Sequence, residues 1–208
     1  MDRTFDDLRI AAARCTRCDL YSGATQTVFG EGPHDARIML VGEQPGDRED
    51  RMGRPFVGPA GGILDRALTD AGMNRDLVYV TNAVTHFKWE PRGKVRIHKK
   101  PNASEIRACS HWWKEELGLL TPDIVVLLGA TAAQAFVGST VRVTRDRGHV
   151  FALSLPGNAE DGAQNLDALV TIHPSAILRM RAEDRDEGYS GLVQDLAVVV
   201  DHLGVARG

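Results

Sequence analysis

The sequence predicts an α/β fold: a central, mainly parallel four-stranded sheet with helices on both faces, a three-layer α/β/α sandwich. Three observations predict it. Four short runs are almost wholly apolar and rich in β-branched residues, Arg37–Gly42, Leu77–Val84, Asp123–Gly129 and Leu169–His173, as expected of strands buried on both faces. Segments of helical character separate them. Each run also stops in a turn or in polar groups, the place where open parallel sheets hold ligands.

Taken in order, Asp6 to Ala13 has helical composition and leads into Cys15-Thr-Arg-Cys18. Asp19–Pro33 is rich in Gly, Thr and Ser and reads as loop. The first strand then ends abruptly in Gly42-Glu-Gln-Pro-Gly46, and a long polar loop follows to Gly58. Ile63, Leu64, Ala67 and Leu68 mark one helix face, stopped by Gly72. The second strand is followed by a polar, basic loop, Lys88–Asn102. Ala103–Leu119 reads as a helix with Asn102 or Ser104 as cap and Glu105 in its first turn. Gly129-Ala-Thr-Ala-Ala opens a helix behind the third strand. Val141–Leu153 reads as a short hairpin or irregular segment, and Glu187–Leu203 as an amphipathic closing helix.

At 208 residues the chain suits a single domain, 1–208, with a substantial core. A net charge of −3 gives no global signature of nucleic-acid binding, though a local patch is compatible with it. No apolar run approaches a membrane span and the charged N-terminus has no signal-peptide core, so the expectation is a cytoplasmic protein with no membrane partner. Nothing demands more than a monomer. Three cysteines do not make a disulfide framework; a Cys-x-x-Cys pair with a third cysteine suits metal or redox chemistry.

The strand ends carry Glu43 and Gln44, Asn82, Gly129-Ala130-Thr131, and His173-Pro-Ser175. In a parallel sheet these lie along one edge, so a carboxylate, an amide and an imidazole converge as a candidate active site. Phe56, in Pro-Phe-Val-Gly-Pro, is either a lid over a small core or a face on which a planar ligand stacks. Arg92, Lys94, Arg96, Lys99 and Lys100 crowd one loop next to Asn82. A charge run is usually a solvated surface, but this one sits where it can grip a phosphate backbone. His98 within it can contact phosphate, act as acid or base, or attack as a nucleophile. Cys15, Cys18 and Cys109 need a fourth partner, and His86 is the best placed. Three thiolates and an imidazole suit zinc or an iron–sulfur cluster, and ligand type does not separate the two.

Together these pieces resemble the uracil-DNA glycosylase superfamily, and more narrowly its family 4 iron–sulfur enzymes and their UdgX branch. The matching motifs are Cys15-x-x-Cys18, Gly42–Gly46, Pro55-Phe-Val-Gly-Pro-Ala-Gly61, Thr81-Asn-Ala-Val84, Cys109 and His173-Pro-Ser175. Two features point to UdgX: His86 stands where family 4 has a cysteine, and Gly93-Lys-Val-Arg-Ile-His98 looks like the UdgX-specific Lys-Arg-Arg-Ile-His loop. Val95 departs from that loop, where arginine is usual.

The resemblance implies a uracil-DNA glycosylase-like fold and a DNA substrate containing uracil, with single strands accepted. It implies a structural [4Fe–4S] cluster on Cys15, Cys18, His86 and Cys109. Phe56 would stack on the flipped base, Asn82 would read its edge, and Gly42 and Gly46 would line the pocket. Gly46 stands where other members carry a bulky blocker, so exclusion of the thymine methyl falls to another residue. His173 would support the leaving uracil and Glu43 the sugar cation. Gln44 stands where a water-activating aspartate is found elsewhere; it has no basic lone pair and can only orient by hydrogen bonding. Lys94, Arg96, Lys99 and Ser175 would contact DNA. His98 would attack C1′ and leave the protein bonded to the abasic strand, with Arg96, Lys99 and Lys100 favouring its neutral form. A conventional turnover glycosylase is the alternative. A non-catalytic metal module that binds nucleic acid is a second, and a zinc hydrolase is disfavoured because all four ligands are committed.

Overall fold

A computed structural model describes residues 3–74, 77–155 and 164–204. In chain order its strands are β1 (Ile38–Gly42), β2 (Val78–Asn82), β3 (Trp89–Arg92), β4 (Val95–His98), β5 (Ile124–Leu128), β6 (Val150–Leu155) and β7 (Gln164–Thr171). The main helices are α1 (Phe5–Ala12), α2 (Asp47–Met52), α3 (Pro59–Asp70), α4 (Ala103–Leu120), α5 (Gly129–Phe136), α6 (Val143–Asp146), α7 (Pro174–Arg179) and α8 (Arg185–Leu203).

The central sheet has the order β2-β1-β5-β7-β6. The first four strands are mutually parallel and β6 runs antiparallel on the edge. The sheet therefore has five strands, not the four expected. The extra one comes from the Val141–Leu153 stretch, which holds the short helix α6 and most of β6 rather than a hairpin. Leu153 and Leu155 are buried while Ala152 and Ser154 are exposed. An edge strand covered on one face carries only this weak alternation, not an apolar run.

Alternate strand residues feed two cores, as the two-residue period of a strand dictates. Met39, Val41, Tyr79, Val125 and Leu127 face α1, α4 and α5, where Leu8, Trp113, Leu117 and Phe136 pack. Ile38, Leu40, Val78, Val80 and Val126 face α3, α7 and α8, with Leu64, Leu68, Ile177, Leu192 and Leu196. These are the three layers. Asn102 caps α4, accepting from the Glu105 N–H while the Glu105 carboxylate accepts from Asn102 N–H. Glu116 of α4 is fully buried and accepts from Tyr79 and Thr81 hydroxyls and the Gly30 N–H, which fixes the end of β2. Burial lifts its pKa to about 7.

Two stretches expected as loop carry structure. Glu43–Gly58 contains α2, and Lys88–Asn102 contains the β3–β4 hairpin, which stands apart from the main sheet. Its strands pair Trp89 with His98 and Arg92 with Val95 around Gly93-Lys94, and Gly93 takes φ +62°. That left-handed value favours glycine.

Candidate active site

The parallel arrangement sets Glu43, Asn82, Thr131 and His173 at the carboxyl ends of adjacent strands, beside one cleft. Its first cavity, about 390 Å³, is lined by Phe56, Asn82, His98 and His173 among others. A second, about 400 Å³, is lined by Glu43, Thr131, His98 and His173. His98, His173, Gln44, Ser175 and Arg179 border both, so the two are halves of one cleft.

In the first half, the Phe56 and His173 rings lie near parallel, 26° apart with centroids at 5.9 Å. Phe56 is therefore a wall of the cleft, and it also packs against the core on the α3 side of the sheet. Its φ is +54°, uncommon for a large side chain, and a Cβ on Gly61 would strike its carbonyl oxygen. Gly42 is required for a similar reason: a Cβ there would collide with Asn82 Oδ1 and stand 2.7 Å from Phe56 Cζ. Asn82 is 4% exposed, yet its amide makes no hydrogen bond among the described residues. Its amide borders the first cavity and is free to pair with a ligand there. A Cβ on Gly46 would lie 2.7 Å from Glu49 Oε2, so this carboxylate fills the space above Gly46. Glu49 Oε1 accepts from Gly58 N–H at 2.7 Å.

His173 is oriented by its own turn. Ser175 N–H donates to His173 Nδ1 at 3.1 Å, and Ser175 Oγ lies 2.8 Å from the same nitrogen. Nδ1 is thus an acceptor, and the neutral ring carries its proton on Nε2. Burial, with Arg179 and His98 adding to it, lowers the His173 pKa to about 4, so the ring is neutral at physiological pH.

His98 Nε2 stands 3.5 Å from Glu43 Oε1, while Thr131 Oγ1 donates to Glu43 Oε2. Burial lowers the His98 pKa; Glu43 opposes the shift and Arg179 adds to it. The cation that favours neutral His98 is thus Arg179, and not Arg96, Lys99 or Lys100.

The hairpin cations divide. Arg96 is largely buried and bound to Asp47 and, at 2.6 Å, to Asp50. It is a strut between the hairpin and α2 and is not free for a phosphate, a correction to the expected DNA contact. Lys99 pairs with Glu90 at 2.8 Å on the surface. Lys94 and Lys100 are exposed and unpaired among the described residues, and Lys100 borders the second cavity. Gln44 is engaged in hydrogen bonds. Its amide donates to the Lys88 and Lys99 carbonyls at 3.2 and 3.0 Å and accepts from Lys88 N–H at 3.2 Å, so it clamps the base of the hairpin. It also borders both cavities.

Arg48, Glu49, Thr131 and Arg179 complete the cleft. Arg48 and Arg179 are exposed and form no ion pair among the described residues. Sequence reading missed them as site residues, because an isolated arginine on a polar helix or at a helix end gives no signal. Arg179 lies on the same short helix as Ser175, one turn on, and that spacing was the available clue.

The cysteine set lies behind β2. The neighbouring Cys109 thiol lowers the Cys18 pKa, and Thr85 Oγ1 lies 3.8 Å from Cys109. Cys15 is buried and accepts from Trp112 Nε1–H at 3.2 Å. His86 touches Thr27 Oγ1 at 2.9 Å through Nε2, while its buried Nδ1 has no partner among the described residues. No three His, Cys, Asp or Glu side chains converge on a single-ion position among the described residues. A multi-iron cluster asks for less, since each ligand holds its own iron. The orphaned His86 Nδ1 and the thiols suit such a group better than one tetrahedral ion.

No helix among the described residues is long and apolar enough to cross a membrane. The model of the Uracil DNA glycosylase superfamily matches residues 29–197. A type-4 uracil-DNA glycosylase of Thermotoga maritima is 38% identical over 172 residues, 82% of this chain and 81% of the relative. Another, from Pyrobaculum aerophilum, is 35% identical over 81% of each. A third, from Archaeoglobus fulgidus, is 31% identical over 88% of this chain and 87% of its own length. With its parallel sheet, its polar strand ends and a family match that spans most of its length, the chain belongs to the uracil DNA glycosylase superfamily.

Proposed function

We propose that this chain excises uracil from DNA, and that His98 then holds the sugar covalently in the manner of the UdgX branch. The observation that carries the reading is the meeting of Asn82, Phe56, His173 and His98 around one cavity, with Glu43, of the adjoining cavity, 3.5 Å from His98.

A base must leave the stack before any side chain reaches its glycosidic bond. Phe56 stacks on the extruded ring. The unpaired Asn82 amide accepts from uracil N3–H and donates to O4. Cytosine offers the opposite pattern and would leave buried groups unpaired. Glu49, above Gly46, takes the place of the missing blocker against the thymine methyl. Arg48, Arg179, Lys100 and Lys94, with the Ser175 turn, hold phosphates along the cleft rim.

As the C1′–N1 bond breaks, its electron pair stays on uracil, and His173 Nε2–H donates to the anion at O2. Glu43 stabilises the positive sugar. The His98 Nε2 lone pair forms the new bond to C1′, and the resulting imidazolium sheds its Nδ1 proton to solvent. Cys15, Cys18, His86 and Cys109 would hold a [4Fe–4S] cluster, which would cross-link the chain behind β2 and take no part in bond cleavage.

The relatives are named type-4 uracil-DNA glycosylases, and a second reading is release of uracil with turnover, water attacking in place of His98. Mixing the protein with uracil-containing single-stranded DNA and running a denaturing gel decides between them. A DNA-shifted band that survives boiling, absent in His98→Ser, is the expected result. Free uracil with repeated turnover and no shifted band overturns the covalent step and leaves the glycosylase. Neither band nor uracil overturns both.

A further inference from the structure

A two-stranded hairpin is barely stable alone in water, and β3–β4 makes no pairing with the main sheet. Something outside it must hold His98 in place. Gln44 clamps its base, as described. The body of the hairpin leans on a buried carboxylate, Asp50 of α2, which has 0% exposure. Asp50 accepts from Arg96 Nη1 at 2.6 Å, from Thr25 N–H at 2.9 Å and from Thr25 Oγ1 at 2.6 Å. Arg96 lies over the Phe87 and Trp89 rings, with its guanidinium carbon 5.3 and 5.4 Å from their centroids. Trp89 Nε1–H in turn donates to Gly23 O at 2.7 Å. One short loop, Gly23–Thr27, therefore touches the hairpin through Trp89, α2 through Asp50, and His86 through Thr27.

Arg96 and His98 alternate on β4, so they project from the same face of the strand. Fixing the guanidinium fixes the imidazole two residues on. We infer that Asp50, acting through Arg96, is a positioning residue that sets His98 against Glu43 for covalent capture. The inference rests on the covalent reading above. Asp50 touches neither cavity, so its effect falls on capture more than on cleavage.

The carboxylate is specifically needed. An asparagine keeps one acceptor for Thr25 but turns an NH2 toward the guanidinium, leaving a largely buried cation with only the half-exposed Asp47 as counter-charge. A displacement of about 1 Å costs on the order of 100-fold in a step that needs aligned atoms.

The test uses the full chain as Asp50→Asn and, because that variant removes a buried anchor, also Arg96→Met, which keeps the Asp50–Thr25 bonds and the packing on Trp89. Arg96→Lys is the conservative partner. Adduct formation on uracil-containing single-stranded DNA should fall about 100-fold in Asp50→Asn and in Arg96→Met. Arg96→Lys should recover part of it, and uracil release should persist. Independently of any adduct, the NMR titration of His98 in Arg96→Met should move up toward that of an ordinary imidazole as the ring leaves its half-buried seat. Unchanged adduct rate and unchanged His98 titration in folded Arg96→Met overturn the inference alone. A wild-type protein that makes no adduct, with His98 titration still moved by the variants, overturns the covalent reading and keeps the positioning. Equal loss of uracil release and adduct overturns the selective role.

Discussion

The two halves of the active site are built in different ways. Asn82, Glu43 and His173 stand at the ends of strands whose last four residues are buried, and their positions follow from the parallel register of β1, β2, β5 and β7. His98 stands on a hairpin with no hydrophobic core of its own, held by side-chain bonds from Gln44, Asp47 and Asp50. The groups proposed for bond cleavage are thus part of the fold, whereas the group proposed for capture is an attachment to it. Damage to the first should lower every activity. Damage to the second should change the fate of the product.

The sharpest way to test that division is His173→Ala, which removes the donor aimed at the leaving base. Loss of one such donor costs about 100- to 1,000-fold in rate. Uracil release and adduct should fall together by that factor, and a loss confined to the adduct would erase the distinction between the halves. Next is Glu49→Ala. With the space above Gly46 opened, discrimination against thymine should shrink by about 10- to 200-fold, the range one methyl-sized contact controls. Excision assays on matched uracil and thymine strands read it directly, and unchanged selectivity would place the methyl block elsewhere.

Smaller is Gln44→Ala, which leaves the hairpin base without its clamp at a cost of about 1–3 kcal/mol. Adduct yield should drop while uracil release holds; a parallel loss of both would mean that Gln44 serves the base cavity. Mildest near neutrality is pH. Capture needs the neutral imidazole, and the His98 pKa lies below the usual value of 6.5. Adduct formation should therefore be flat above neutrality and decline only as acid protonates the ring. Arg179→Gln removes a cation that depresses that pKa, so the decline should begin at higher pH. A profile unmoved by Arg179→Gln would contradict the proposed neighbour.

The same contrast explains what could be read from the chain. Ile38–Val41 and Ile124–Leu128 announce buried strands because both faces meet apolar helices, and the polar residues after them fall on one edge of the sheet. Asn82, Glu43 and His173 come to one cleft for that reason, and Phe56 from the loop after α2 and His98 from the hairpin join them there. The hairpin was hidden. Trp89–Arg92 and Val95–His98 bury almost nothing, and their partners Gln44, Asp47 and Asp50 lie some forty to fifty residues away. Its one local signal is the alternation of Val95 and Ile97 with Arg96 and His98 around Gly93. Five charged residues and Met52 form α2, which has no apolar stripe to betray it. Arg96 looked like a phosphate contact because charge in a loop carries no mark of the carboxylates that will claim it. β6 escaped because an edge strand shows half a pattern.

The contact between Ser175 N–H and His173 Nδ1 has a consequence for evolution by point substitution. Because a peptide hydrogen occupies that nitrogen, the ring faces the cleft as a donor whatever side chain residue 175 carries; only proline would withdraw the lock. A base with hydrogen or an amino group where uracil has O2 would meet hydrogen against hydrogen and be turned away. Under the proposed function, selection for that oxygen is written into the main chain, where most mutations cannot reach it.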